Sequence, residues 1–222
     1  MSTTNRRYDS SARQADARSR RAAIVESAAT LFLEHGYSET TVAQVAAEAG
    51  VSAQLVYAAF GGKAGLLWAA LDRVAAGDDE PILMRDRPES LALADIADPH
   101  DRMRAAAALA AEVNGRVGPL ERLLDSVAGS DPAVADMRQK LVEAMREDHR
   151  VLIQRLADGM RPDLTVEQAA DMSRVVTGVQ VWHGLVVEGG WTQEQYADWL
   201  GDTLIRLFVM EPPRPGRRRR RG

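Results

Sequence analysis

The chain has 222 residues, 45% of them hydrophobic and only 5% aromatic, with no cysteine and a formal net charge of −4. That length supports one medium domain or a small domain feeding a larger one, and the absence of cysteine excludes disulfides, thiolate chemistry and a cysteine-based zinc site. No segment approaches the ~20 continuous apolar residues of a membrane span; abundant alanine, leucine and arginine with few aromatics predict an all-α protein, and the lack of cysteine fits the cytoplasm.

The first 17 residues are polar, carry no apolar period and are expected to form a disordered basic arm. An amphipathic stripe then begins at Ile24, Ala28, Leu31 and Phe32, which predicts a first helix over 18–35 stopped by Gly36. Thr41 can cap a short second helix with Val42, Val45 and Ala46 inside, ending at Gly50. Ser52 can cap a third that carries Leu55, Val56 and Tyr57 up to Phe60 and the Gly61-Gly62 pair. A fourth runs from Lys63 to Gly77 on Leu66, Leu67, Ala70, Leu71 and Val74. Residues 77–99 read as an irregular connection with one helical turn. Asp98-Pro99 and Asp131-Pro132 open helices over 99–114 and 131–158, with a shorter one over 117–128 between them. Thr165 with Gln168, and Thr192 with Gln195, match the capping-box spacing and open helices over 166–188 and from 192 to about Met210. The prolines at 212, 213 and 215 forbid continuation, and 211–222 is expected to be a disordered basic tail.

Charge is unevenly spread. Residues 1–21 hold six arginines against Asp9 and Asp16, and 211–222 hold six against Glu211, whereas 64–210 hold 15 basic and 25 acidic residues. A phosphate backbone is drawn to the ends of such a chain, although a solvated tail is the alternative for either arginine run.

Residues 42–57 place small Ala46 and a Gly50-Val51 turn between two short helices, with Val45 and Val56 facing inward. That is the pattern of a helix-turn-helix, in which the helices cross closely at a small residue, though any short helical hairpin can show it. The wider run is more specific: Arg21-Ala-Ala-Ile24, Ala28-Ala29-x-Leu31-Phe32, His35-Gly36-Tyr37, Thr40-Thr41-Val42, Val45-Ala46, Ala49-Gly50-Val51-Ser52, Tyr57, Phe60, Lys63 and Leu66-Leu67. Over 18–67 it resembles the N-terminal domain of the tetracycline-repressor (TetR) family. The resemblance implies a three-helix DNA-binding domain over 18–63 and a helical ligand-binding and dimerisation domain over 64–210. It implies phosphate contacts at Thr41, Tyr57 and Lys63, and a third helix in the major groove presenting Ser52, Ala53, Gln54, Leu55 and Ala58. Arg18, Arg20 and Arg21 are the expected contacts of the basic arm. For Thr41 simple capping, and for Tyr57 packing against the first helix, remain open.

The third helix departs from the family in being poor in polar groups, and Gly62 stands where serine or asparagine is common. Only Gln54 can read a base edge by paired hydrogen bonds, preferring adenine, so DNA shape and the arginine arm are expected to carry part of any specificity. The last two helices are apolar on more than one face, and Val179, Trp182, Leu185, Val186, Leu200, Leu204 and Leu207 are candidates for a homodimer interface. Met103, Leu124, Met137, Met145, Met172, Gln180 and His183 are candidates for lining a pocket for an unknown, largely apolar small-molecule effector, with ordinary core packing the alternative.

No Gly-x-Ser-x-Gly elbow, His-Glu-x-x-His pair or phosphate loop occurs, and His35, His100, His149 and His183 show no metal-ligand pairing, so neither catalysis, a cofactor nor a metal is expected. The expectation is a ligand-responsive transcriptional regulator, a repressor that binds a palindromic double-stranded operator as a dimer and is nucleoid-associated when bound. An architectural, nucleoid-type DNA-binding protein of low specificity is the alternative.

Overall fold

The computed structural model describes residues 10–77 and 82–209, so Arg6, Arg7 and the C-terminal arginine run lie outside the described residues. Among the described residues every named element is helical: α1 (Ser10–Glu39), α2 (Val42–Glu48), α3 (Ala53–Phe60), α4 (Lys63–Ala76), α5 (Pro88–Ala92), α6 (Pro99–Val127), α7 (Pro132–Leu156), α8 (Val166–Val176), α9 (Val179–Trp182) and α10 (Gln193–Phe208). One isolated antiparallel bridge pairs Met160 with Val209. No helix among these residues is long and apolar enough to cross a membrane. The chain divides into two compact units, residues 1–79 with 119–138, and 80–118 with 139–222.

In the first unit α1 packs on α4 and α2, and α2 packs on α3. Its core holds Ile24, Ala28 and Phe32 of the expected stripe, with Val25 buried where Leu31 is only half-buried, together with Val45, Val56, Leu66 and Leu67. Burying such a set supplies most of the driving force for a domain this small. α1 begins at Ser10, eight residues before the predicted start, so part of the expected disordered arm is helical. Its predicted stop at Gly36 is a kink: φ 78° and ψ 168° there break the regular helix, and one further turn follows to Glu39. Thr40, buried, donates its hydroxyl to the Gly36 carbonyl at 2.8 Å and lies 3.1 Å from that of Leu31, which satisfies the Gly36 carbonyl at the kink.

The second unit departs from the predicted boundaries in three places. The expected helices 99–114 and 117–128 are one helix, α6, despite Gly115, Gly118 and Pro119. Gly118 is the seat of Trp182, whose ring a Cβ at 118 would approach to 2.5 Å, and this close packing replaces the side chain that the glycine lacks. The expected helix 166–188 is broken after Val176. Thr177 ends α8, and the buried Asn114 amide donates to the Thr177 carbonyl at 2.8 Å and to the Tyr196 hydroxyl at 3.2 Å. α9 then passes into a π-helical turn over His183–Glu188, with Gly189 N–H bonded to the Gly184 carbonyl. The 77–99 connection is more ordered than one turn: α5 is flanked by 3-10 turns at Met84–Asp86 and Leu93–Asp95. Arg85 pairs with Asp148, and Arg155 with Asp86 at 2.8 Å, which fixes the connection to α7.

Candidate nucleic-acid interface

α2 and α3 are locally determined. Thr41 sits in extended conformation before α2, its hydroxyl oxygen accepting the Gln44 N–H at 3.2 Å while the Gln44 side chain accepts the Thr41 N–H at 2.7 Å. This is a full capping box at the same Thr-x-x-Gln spacing as at 165 and 192. The Thr41 hydroxyl also donates to Gln44 Oε1 at 2.8 Å, so its own proton is engaged within the cap. Ser52 caps α3 by accepting the Leu55 N–H at 3.2 Å. Gly61, at φ 73°, ends α3 in the left-handed conformation that glycine adopts without strain.

Val56 is buried completely, which turns the opposite face of α3 outward. Gln54, Leu55, Tyr57 and Ala58 are exposed on it, Leu55 by 40% and Tyr57 by 55%, and Ala53 is half-buried. Two helix N-termini, a lone amide and a phenol make a surface suited to phosphate contact and one base-edge contact.

Close approach holds α3 against α4: a Cβ at Gly65 would lie 1.8 Å from the Phe60 carbonyl oxygen. On the other side the Arg21 guanidinium lies 4.4 Å over the Phe60 ring, so Arg21 braces the end of α3. Arg20 is paired with Asp16 at 2.6 Å in solvent, and Arg18 is exposed.

Lys63 is engaged within the unit. Its ammonium donates to the Tyr37 and Ser38 carbonyls at 2.8 and 3.3 Å and lies 4.3 Å over the Tyr37 ring, so it ties the start of α4 to the end of α1. Tyr37, part of the family-like run, has a role that its immediate neighbours in sequence do not reveal. Buried, it stacks on Phe32 at 5.6 Å and donates its hydroxyl to Asp131 Oδ2 at 3.0 Å. Burial pushes the Tyr37 phenol well above its ordinary range, and the neighbouring carboxylate adds to the shift. For Asp131 burial acts upward, but the Tyr37 hydrogen bond, the Ala133 and Val134 N–H groups and the Lys63 charge outweigh it and hold the carboxyl below its usual value.

The expected pocket residues fall in both units. Leu124 and Met137, both buried, belong to the first; Met103, Met145, Met172, Gln180 and His183 belong to the second. Met103 is core, Gln180 is exposed, and His183 Nδ1 lies 3.3 Å from Glu188 while its Nε2 is buried without a hydrogen-bond partner. The expected interface residues also divide. Val179, Trp182, Leu200 and Leu204 are already buried within the single chain and have little surface left for a partner. Leu185, Val186 and Leu207 are half-buried, and Val175 and Val187, 58% and 51% exposed, join them as apolar surface.

Residues 24–70 match the model of the family described as bacterial regulatory proteins, tetR family. No curated protein sequence matches the chain. Among solved structures, the SmeT–triclosan complex superposes with a TM-score of 0.65 at 19% identity, covering 87% of this chain and 93% of that one. A Rhodococcus sp. protein assigned as a TetR-family transcriptional regulator gives 0.66 at 21% identity, covering 86% and 98%. NalD, the secondary repressor of the MexAB-OprM multidrug efflux pump in Pseudomonas aeruginosa, gives 0.60 at 20%, covering 88% and 98%. At these identities the structural likeness speaks to the fold, and the match over 24–70 falls on the helix-turn-helix itself. Residues 24–70 therefore carry a domain that matches the tetR family of bacterial regulatory proteins, and the chain shares the helical fold of these solved structures.

Proposed function

We propose that the chain represses transcription by binding a palindromic operator as a homodimer, and that a small molecule taken up by its helical domain releases it. The observation that carries this is the exposed face of α3, with Gln54, Leu55, Tyr57 and Ala58 turned outward between the capped starts of α2 and α3. In this arrangement α3 enters the major groove, Gln54 reads a base edge, Leu55 and Ala58 meet thymine methyls, and Tyr57 and the helix N-termini hold phosphates. Lys63 acts by positioning α4, and Arg18 and Arg20 reach the backbone from α1. Selection of bound genomic fragments by the full chain tests the proposal: an inverted repeat is expected, and Gln54→Ala is expected to alter preference at one position per half-site. Tyr57→Phe is expected to weaken all sequences alike, because phosphate contacts carry no sequence information. Selected fragments without a shared inverted repeat would refute a dimeric operator.

The scarcity of polar groups on α3 favours a second reading, an architectural protein of low specificity. A ratio of specific to random affinity below about 10³ at physiological salt would favour it over a site-specific repressor.

A further inference from the structure

In the second unit, α5 with the turn that follows it and one face of α6 line an open groove of about 360 Å³. One wall is Glu89, Ala92, Leu93 and Ile96; the other is Ala105, Ala108, Leu109 and Glu112, spaced as successive turns of a single helix face. The space exists because three of the eight lining residues are alanines, with buried Leu93 beneath them. The wall is braced by Arg102, itself buried, which donates from Nε to the Ile96 carbonyl at 2.9 Å and from Nη1 to the carbonyls of Leu156 and Asp158 at 3.2 and 2.7 Å. None of the seven residues expected to line an effector pocket is among those lining this groove.

Six lining residues are apolar and the two polar ones are both carboxylates, with no basic group among them. Glu112 is matched by Arg116, one turn on, at 2.7 Å. Glu89, exposed in the first turn of α5, takes part in none of the ion pairs found among the described residues, so the rim of the groove presents one solvated negative charge. An anion would meet that charge unpaired, whereas a cation beside Glu89 with its carbon body on Leu93, Ile96 and Leu109 satisfies both parts. The volume lies at the lower end of the range of small-molecule sites, about 300–1,000 Å³.

We propose that this groove binds a small amphipathic monocation, an ammonium or amidinium group on an apolar body. The proposal rests on the functional reading above only for its regulatory consequence; binding itself does not depend on it. Three probes of one shape and different charge test it by titration calorimetry on the full chain: 4-phenylbutylammonium, 4-phenylbutanol and 4-phenylbutyrate. The expected order is cation, then alcohol, then anion, with one site per chain. Glu89→Gln is expected to weaken the cation by about threefold to tenfold and leave the alcohol unchanged. Ala108→Trp, at an exposed position that fills the groove, is expected to abolish binding of all three while circular dichroism and the melting temperature stay as in the parent. Equal binding of the anion, an unchanged cation affinity in Glu89→Gln, retained binding in Ala108→Trp, or no binding of any probe would each overturn the proposal. DNA retention measured in the same samples separates the two readings: a cation that binds as described without changing DNA affinity leaves the groove standing and removes it as the effector site.

Discussion

Tyr37 and Asp131 stand 94 residues apart in the chain, and the hydroxyl of one donates to the carboxylate of the other at 3.0 Å. Asp131 uses its second oxygen to cap α7 through Ala133 N–H at 2.9 Å, while Tyr37 lies under the Lys63 ammonium. One tyrosine therefore joins the end of α1, the start of α4 and the start of α7 within the first unit. Tyr37→Phe is expected to cost about 1 kcal/mol, the net worth of one such hydrogen bond, in urea unfolding at pH 7. Because the Asp131 pKa is depressed in the fold, its contribution is complete above the ordinary value of 3.8 and is lost as pH falls through the lower folded value. The gap between parent and variant is thus expected to hold from pH 5 to 8 and to narrow below about pH 3.8. A gap independent of pH down to acid unfolding would mean that the two groups do not interact.

Gly65→Ala tests the seating of α3. The new methyl would fall 1.8 Å from the Phe60 carbonyl oxygen, a backbone atom that can yield only by moving the end of α3. A loss of about 1–3 kcal/mol in stability is expected. In protein that remains folded, affinity for a selected DNA fragment is expected to fall at least tenfold. Unchanged DNA binding would show that the angle between α3 and α4 is not critical.

Dimerisation is tested by a contrast between two charges. Leu204 is 3% exposed in the single chain, so Leu204→Arg is expected to destabilise the fold by several kcal/mol whatever the oligomeric state. Val175 is 58% exposed, so Val175→Glu is expected to leave the protomer folded while converting a dimer to a monomer in sedimentation. A parent chain that sediments as a monomer at micromolar concentration, yet binds one half-site tightly, would refute the two-headed arrangement.

Glu121 supplies a pH test of a different sign. Burial pushes its carboxyl up to about 7, the Asp125 charge adds to this, and Arg138 opposes it while itself bonded to Asp125 at 2.6 Å. A raised folded pKa means stability is greatest while the group is protonated, and is lost as pH rises from the ordinary value of 4.5 through about 7. Glu121→Gln is expected to leave stability nearly unchanged at pH 4.5 and to raise it at pH 8, by on the order of 2 kcal/mol. Equal effects at the two pH values would place Glu121 in a solvated setting.

The helix-turn-helix was legible because its determinants are local. Threonine or serine caps, glycine stops at Gly50, Gly61 and Gly77 with positive φ, and a 3.6-residue apolar period each act within one or two turns, so residues 41–77 fold close to the predicted bounds. The chemistry of the exposed face of α3 follows from the same register. Other features depend on partners remote in the chain. Nothing within 99–127 says that Trp182 will fill the space at Gly118 and carry α6 through, and nothing within 166–188 says that Asn114 will take the Thr177 carbonyl and let the helix break.

The same division separates the candidate sites. Sequence alone determined that Val179, Trp182, Leu200 and Leu204 must leave water, because that is a property of the side chain. Only the tertiary structure decided that the single chain already covers them while Val175 and Val187 remain outside, because hydrophobicity has no direction and cannot name the surface that does the covering. The groove beside α5 follows the same rule: its alanines look unremarkable along the chain, and space appears where two helical faces lined by small residues meet.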